Sequence, residues 1–536
     1  MSGIRNVLKI ATITCCISVG SIAMAHEGDE KLGNVSFPIT CKGEQAKFDR
    51  AVALMHNFFY PETSKAFREI IRDDPECAVA YWGLATSLRP NPLVPPFPQN
   101  LLKEGWEVVQ KGKSAKTQSA KEASFVAAIE QFYKDYDTVD QRVRAQAYSR
   151  AMGELHQRYP EDSEAAIFYA LSLLETIDFS DKKYGNQLKA AEILKAQAKD
   201  HPQHPGIAHY LIHSYDFAPL AAMCVDTARL YNKIAANSPH ALHMPSHIYS
   251  MLGMWDDSIR SNLASEALAN GYAARAYPGA TDAQVPHDLD FLIYAYLQQG
   301  RDNEAQEVIG RAAGIKKMAV VRLTVDTALA AVPARYVIER RAWNEAAALS
   351  VRETQYPAAR AVTHFTRGLG AARSGDLASA RAEVAHLDRM EARLLVGKDQ
   401  YWAGQTLIQK LAVEAWIAYA EKRVDDAIDT MRAAADLDDA SEKNVAMENK
   451  LLPMRALLGE LFLAAGRNEE ALPELEASLK VVPGRYATIA TAAQVARNIG
   501  QADTARRYYR ALIGLTNERT GPRPELAEAK QYLAQK

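Results

Sequence analysis

The sequence predicts an all-α fold, a right-handed α-solenoid built from helix-turn-helix repeats. Apolar residues make up 48% of the 536 positions, which is enough to bury a large core. Alanine is abundant and runs of β-branched residues are short, a composition that favours helices. A turn residue followed five positions later by a small residue also recurs along the chain. One helical hairpin cannot bury its own apolar face, whereas stacked hairpins share a continuous core.

The repeat is clearest where a glycine ends one apolar helix and a small residue follows early in the next. Four copies run from Gly300 to Ala305, Gly375 to Ala380, Gly466 to Ala471 and Gly500 to Ala505. Glycine accepts the left-handed conformation that closes a helix. The last two glycines are 34 residues apart, which is the tetratricopeptide period. The C-terminal half therefore resembles a tetratricopeptide repeat (TPR) array, whose concave groove binds proteins or peptides.

The chain divides into five predicted regions. Residues 1–25 are typical of a signal peptide, with basic Arg5 and Lys9, an apolar stretch and the cleavage sequence Ala23-Met24-Ala25. We therefore expect an exported protein, periplasmic if bacterial, with no membrane span after cleavage. The other regions are an extended N-terminal segment (26–43), a divergent TPR-like helical region carrying a histidine cluster (44–285), a C-terminal TPR solenoid (286–515) and a tail or capping helix (516–536).

The charge balance limits the kinds of partner that the chain can bind, and the cysteine content limits its possible disulfide bonds. The 63 basic and 65 acidic side chains nearly balance, and no block of lysine and arginine occurs, so we predict no nucleic-acid partner. Cys41, Cys77 and Cys224 remain after removal of the signal peptide. An oxidising compartment permits one bridge among them, and we predict Cys41–Cys77. Three free buried thiols are the alternative.

Five of the 13 histidines lie between residues 209 and 247. His209 and His213 are four residues apart in a helix expected over residues 206–217, so they share a face. His243 and His247 have the same spacing in the next such helix. These four are the candidate metal ligands. Three further side chains are reserve ligands: Asp216, His240 and His287.

The predicted solenoid brings these histidines towards one another, because the first helices of consecutive repeats lie side by side. His240 joins the group only if its helix begins at Pro239 rather than at Pro245. Imidazole nitrogens suit Zn, Cu, Ni and Fe. The two pairs could therefore form a four-ligand or dinuclear site for Zn, Cu or another transition metal. They could equally form a hydrogen-bonded polar core or a peptide-binding wall.

Two functions follow from this arrangement. The first is an exported scaffold that binds a protein or peptide in its concave groove, with a histidine metal site in that groove. The second is a metal-dependent periplasmic enzyme or a metal carrier that uses the four candidate ligands. The sequence favours the scaffold, because the repeat fold supports it without any chemistry, and no catalytic residue is identified.

The chain also resembles a family of exported bacterial TPR proteins. The resemblance rests on the segments HPGIAHYLIHSYD (204–216), PHALHMPSHI (239–248) and VPARYVIERRAW (332–343), and on the N-terminal FDRAVALMHNFFYPETSKAF. It implies the fold and export rather than an activity. This chain departs from the family at Phe217-Ala218, where a His-Pro pair is expected, and over residues 442–450, which replace a stretch containing histidine and proline.

Overall fold

The computed structural model describes residues 30–116, 118–448, 450–517 and 523–535. The predicted signal peptide lies outside these residues. The described chain is helical throughout, without a β-strand, and one isolated β-bridge joins Thr281 to Met318. The predicted all-α solenoid of helix-turn-helix repeats is confirmed.

Twenty-six α-helices occur in the described residues, with a short 3₁₀ turn at Ala221–Cys224 before the tenth. In the N-terminal half they are α1 (Gln45–His56), α2 (Tyr60–Asp73), α3 (Ala78–Ser87), α4 (Gln99–Ser114), α5 (Ala120–Tyr133), α6 (Gln141–Arg158), α7 (Ser163–Leu174), α8 (Gly185–Ala198), α9 (Pro205–Tyr215), α10 (Val225–Ile234), α11 (Pro239–His243), α12 (Pro245–Met251) and α13 (Trp255–Ala276).

The second half continues the series with helices that are mostly longer. They are α14 (Gln284–Gln298), α15 (Asp302–Gly314), α16 (Leu323–Glu339), α17 (Trp343–Ala347), α18 (Pro357–Ser374), α19 (Leu377–Val396), α20 (Gln400–Ala420), α21 (Val424–Asp439), α22 (Met454–Ala464), α23 (Asn468–Val481), α24 (Tyr486–Asn498), α25 (Ala502–Leu515) and α26 (Pro524–Ala534).

The helices pair as hairpins that stack in two layers. Each helix packs on its chain neighbour, and α14, α16, α18, α20, α22 and α24 also pack on one another in succession, so they form one layer of the solenoid. The turns follow the predicted pattern, because Gly466 and Gly500 both adopt a φ of 75° after their helices. A side chain would be strained in this left-handed conformation.

The solenoid curves until its middle touches its end. Helix α14 packs against α24 as well as against α16. The Trp255 indole donates to the Gly484 carbonyl at 3.1 Å, and the Tyr486 amide donates to the Gln298 side chain at 2.8 Å. This closure encloses the side chains that project from α14 and α16, among them the buried ion pair of Arg335 and Asp290, whose nitrogen and oxygen are 2.6 Å apart.

The hydrophobic core is divided at the end of α12. One apolar cluster spans residues 32–254, a second gathers mainly on α13 to α15, and a third begins at Leu323 and extends to α26. The extended N-terminal segment lies on the first cluster, where the Leu32 carbonyl accepts from Asn57 at 2.9 Å. The Cys41 and Cys77 sulfurs are bonded, with their Cα atoms 5.3 Å apart, and Cys224 is a free buried thiol.

Two further features bear on function. Residues 89–98 run as an irregular loop between α3 and α4, because the prolines they contain interrupt helical hydrogen bonding. No helix in the described part of the chain is both long enough and apolar enough to cross a membrane.

Candidate metal centre

Six histidines from three parts of the solenoid form one cluster: α9, the pair of short helices α11 and α12, and α14. His209 and His213 lie on α9, and His287 lies on α14. Pro239 and Pro245 each occupy the first turn of a short helix, so α11 carries His240 and His243 and α12 carries His247. Helix α11 therefore begins early enough for His240 to join the cluster.

The histidines are grouped as two sets of three, and not as the two helical pairs alone. The first triad is His209, His213 and His240, and the second triad is His243, His247 and His287. Within each triad one nitrogen of every ring lies within 4.8 Å of the others. The triads adjoin, because the ring centroids of His213 and His247 are 6.2 Å apart.

Hydrogen bonds orient the rings of the first triad. His209 Nδ1 lies 2.6 Å from the His56 carbonyl, and His240 Nδ1 lies 3.1 Å from Gln284 Oε1. A carbonyl oxygen can only accept, so both rings donate through Nδ1 and keep a lone pair on Nε2. His213 Nε2 is 3.1 Å from His209 Nε2. The His240 Nε2 atom is buried without a hydrogen-bond partner.

The second triad is held by acceptors on both sides. His247 Nδ1 lies 2.8 Å from the Asp216 carboxylate. His243 Nδ1 lies 2.6 Å from Asn262 Oδ1 and 3.0 Å from Asp288 Oδ1. The orientation of the asparagine follows from its amide nitrogen, which donates to a backbone carbonyl at 2.8 Å. Both histidines therefore carry their proton on Nδ1.

This assignment leaves two lone pairs facing each other. His243 Nε2 and His247 Nε2 are 3.0 Å apart, and neither has a proton to donate once Nδ1 is protonated. Lone pairs at this distance repel unless a proton or a metal cation lies between them. Two imidazole nitrogens bound about 2.0–2.1 Å from one ion, at angles between a right angle and tetrahedral, are separated by about 2.8–3.4 Å. The close nitrogen pair of each triad fits this spacing.

Burial keeps the cluster neutral. It lowers the pKa of His240 to about 3 and that of His243 to about 4. It also lowers the pKa of His209, His213 and His247 well below the ordinary value, and neighbouring histidines add to each of these shifts. A metal ion requires the neutral imidazole, so the rings are in the protonation state that binds metal.

Asp216 links the second triad to a distant part of the chain. It is the residue that ends α9 rather than a member of the histidine face, because its backbone leaves the helical conformation. Its Oδ2 atom accepts from His247 Nδ1 and from Lys443 Nζ, both at 2.8 Å. Burial raises the pKa of this carboxyl, and Lys443 opposes the rise. Asp216 is therefore an outer partner that orients a ligand, as acids often are at metal sites.

Lys443 belongs to a covering segment, residues 441–448, that lies over the cluster. The Glu442 amide donates to the Phe179 carbonyl at 2.9 Å, and the Glu448 amide donates to Asp290 Oδ2 at 2.9 Å. Five of the six histidines are buried, with His209, His243 and His247 each at most 1% exposed, and His240 is half-buried. The four candidate ligands predicted from the sequence are therefore buried rather than exposed on a groove wall.

Two other groups of metal-binding side chains are explained without a metal. Glu164 accepts from His56 Nε2 and from His204 Nε2, both at 2.9 Å, so one carboxylate receives the Nε2 protons of both rings. The cysteines near Asp74 form a disulfide, which leaves no thiolate to bind an ion. The six-histidine cluster differs from both, because the Nε2 lone pairs of His243 and His247 in its second triad face each other.

Several residues of the centre are missing from the sequence-based prediction. The amides of Gln284 and Asn262 fix two rings, and Asp288 accepts both from His243 and from the Gln284 amide. Lys443 lies 227 residues from its partner Asp216. Helical spacing relates residues three or four apart, so no local pattern could have identified these contacts.

No protein-family model matches the chain, and no curated protein matches it. Among solved structures the chain is similar to a human IFIT1 dimer with PPP-AAAA, at 12% identity and a TM-score of 0.37, over 87% of this chain and 89% of that one. It is similar to a monomeric IFIT1 mutant with Gppp-AAAA at 12% identity and a TM-score of 0.36, over 82% and 90%. Likeness at this level carries no argument about ligands, and the assignment of the fold rests on the stacked helical hairpins.

Proposed function

We propose that this chain is an exported metalloprotein whose solenoid holds two adjacent transition-metal ions, one in each histidine triad. The observation that carries the proposal is the His243–His247 pair. Its Nε2 lone pairs face each other across 3.0 Å, while both Nδ1 protons are donated to oxygen acceptors. A cation bound between the two nitrogens is coordinated by both lone pairs, and the repulsion between them is removed.

The donor set narrows the choice of metal. All six proposed ligands are imidazoles, and the nearest carboxylates, Asp216 and Asp288, contact the ring nitrogens that face away from the metal position. Nitrogen ligands suit copper, zinc, nickel and iron, and affinities for divalent ions peak at copper. We expect copper or zinc. When bound, such an ion supplies a Lewis acid and, if it is copper, a redox couple.

The surroundings favour a resident ion over a transported one. A carrier has to release its ion, whereas five of these six ligands are buried. Fixed acceptors also hold four of the rings: His209, His240, His243 and His247. The covering segment adds a second barrier, because it is anchored at both ends to α9, α14 and the loop after α7. Of the metal-dependent alternatives, an enzyme fits this geometry better than a carrier.

Metal analysis of the mature chain tests the proposal. The protein is purified from its native compartment without a histidine tag, and its metal content is measured per chain. We expect about two equivalents of copper or zinc, one for each triad. His213→Ala and His247→Ala should each remove one equivalent, and together they should remove both. His156→Ala with His386→Ala removes two histidines outside the triads and should leave the metal content unchanged.

The opposite result supports the scaffold. A folded protein that contains no metal and takes up none when titrated with Cu²⁺ and Zn²⁺ would make the cluster a hydrogen-bonded core. The solenoid fold would then favour protein or peptide binding. The near-neutral charge still predicts that nucleic acid does not bind.

A further inference from the structure

A cavity of about 320 Å³ lies beside the first triad. It opens between the loop of residues 89–98, the end of α1 and the segment before α16. His240 and Gln284 are part of its wall, and they are also a proposed metal ligand and the amide that orients it. His240 therefore belongs both to the wall of the cavity and to the first histidine triad. Cavities of this size commonly bind small organic molecules.

The lining is mostly apolar and rich in aromatic rings. Six such side chains contribute to it: Phe58, Phe59, Tyr60, Phe97, Tyr277 and Tyr356. Phe58 stacks on His240, with ring centroids 5.5 Å apart and planes inclined by 18°. Its backbone adopts a φ of 52°, which is unusual for a bulky residue and marks a strained position. The Phe58 ring lies between the cavity and the histidines, because it also contacts the rings of His209 and His213.

One cationic group stands in this apolar wall. Arg322 lines the cavity, and its Nη1 donates to the Pro90 carbonyl at 3.3 Å. Its Nε is buried without a hydrogen-bond partner. Burial lowers the pKa of Arg322, and the charge of Asp282, also in the lining, opposes that shift. The Asp282 carboxylate accepts from the backbone N–H of Gln284 at 2.8 Å. A guanidinium with a free donor edge matches a planar carboxylate.

We infer that the cavity binds an aromatic carboxylic acid, with the carboxylate on Arg322 and the ring system extending along Phe58 towards His240. The aromatic wall supplies edge and face contacts for a flat apolar body, and Arg322 is the only lysine or arginine among the described residues that line the cavity. Such an acid would be a substrate of the proposed metal centre, and this role rests on the proposed function. Binding of the acid in the cavity does not depend on the metal.

Binding of 2-naphthoate by the mature chain tests the inference, with the neutral 2-naphthalenemethanol as the matched ligand. Calorimetry is run on chelator-treated and on metal-loaded protein. We expect 2-naphthoate to bind one to one and Arg322→Gln to weaken it about 10- to 100-fold, while the alcohol binds both proteins equally. Arg229→Gln removes an exposed arginine and should change nothing.

Equal affinity of 2-naphthoate for the wild type and Arg322→Gln would overturn the inference, as would an alcohol that binds the wild type as tightly as the acid does. If Arg322→Gln fails to fold, Arg322→Lys is the alternative variant, because it retains the positive charge. The ratio of the wild-type affinities for the acid and the alcohol still tests whether the cavity recognises a carboxylate. Proton relaxation of 2-naphthoate in Cu²⁺-loaded protein reports its approach to His240. Naphthoate binding by a chain that takes up no metal would refute the metal centre and leave the cavity ligand standing.

Discussion

Replacing Asp216 by asparagine should damage both the stability of the protein and its metal affinity. Asp216 Oδ2 accepts from His247 Nδ1 and from Lys443 Nζ, each at 2.8 Å, and both side chains of the ion pair are at most 6% exposed. Asparagine keeps the shape of the side chain but removes the negative charge. A buried ammonium group then loses its counter-charge, which costs about 3–5 kcal/mol.

That loss should be visible as a lower melting temperature. For a cooperative unit of 150–250 residues, 1 kcal/mol corresponds to about 2–4 °C, so Asp216→Asn should melt about 10 °C below the wild type. The first apolar cluster, residues 32–254, is a unit of this size. Metal affinity should fall about 10- to 100-fold, because the carboxylate no longer orients His247. Thermal unfolding of metal-free protein and a competition titration measure the two effects.

A double-mutant cycle isolates the ion pair. Lys443→Met should also cost about 3–5 kcal/mol, because it leaves the carboxylate buried and unpaired. The double variant removes both charges, and it should be at least about 2 kcal/mol more stable than the sum of the single effects predicts. Asp226→Asn, at a fully exposed carboxylate, is the control. An Asp216→Asn protein that melts within about 2 °C of the wild type and keeps its metal would refute the reasoning.

Three further predictions concern the same region and its supports. Metal-free protein should lose stability as the pH falls below about 6.5, the pKa of histidine in the unfolded chain, because the buried imidazoles gain protons only on unfolding. Each imidazole contributes about 1.4 kcal/mol to the free energy of unfolding per pH unit. If urea unfolding gives the same stability at pH 7.5 and pH 5.5, the rings are not neutral in the folded protein. Cys41→Ser with Cys77→Ser opens a link across 36 residues and should cost about 4 kcal/mol, seen as a lower urea midpoint; an unchanged midpoint would show that the link is unimportant. In Gly206→Ala the new Cβ would lie 2.4 Å from His56 Nδ1, so the free energy of unfolding should fall by about 1–3 kcal/mol. The control Gly310→Ala places its Cβ in open space and should raise the free energy of unfolding by up to about 1 kcal/mol. Equal effects of the two substitutions would count against the close contact at Gly206.

Lys443 also acts on the electrostatics of the cluster. The structure places its ammonium group on Asp216. A lysine there adds a fixed positive charge beside the second triad. The charge lowers the pKa of His247 and His287 after the larger effect of burial, so it favours the neutral rings that a metal requires.

Helical spacing made the histidine pairs predictable. Two rings four residues apart in a helical backbone lie on the same face, and the His209 and His213 nitrogens on α9 are 3.1 Å apart. His243 and His247 lie on two short helices, α11 and α12, and not on one helix as expected. Their nitrogens are still 3.0 Å apart, because Met244 between the two helices keeps a helical backbone conformation. The same local logic predicted the helical hairpins, because a glycine that closes a helix needs only its own backbone freedom.

The sequence by itself therefore determined the helices, the order in which they stack and the faces that carry the histidines. Only the tertiary structure decided that His240 and His287 complete two triads, that Lys443 pairs with Asp216 beside one of them and that Arg322 lines an apolar cavity beside the other. The reason is that the curvature of a solenoid is the sum of small rotations between neighbouring repeats. A contact such as Lys443–Asp216 depends on all the rotations between its residues, and no short stretch of sequence encodes that sum.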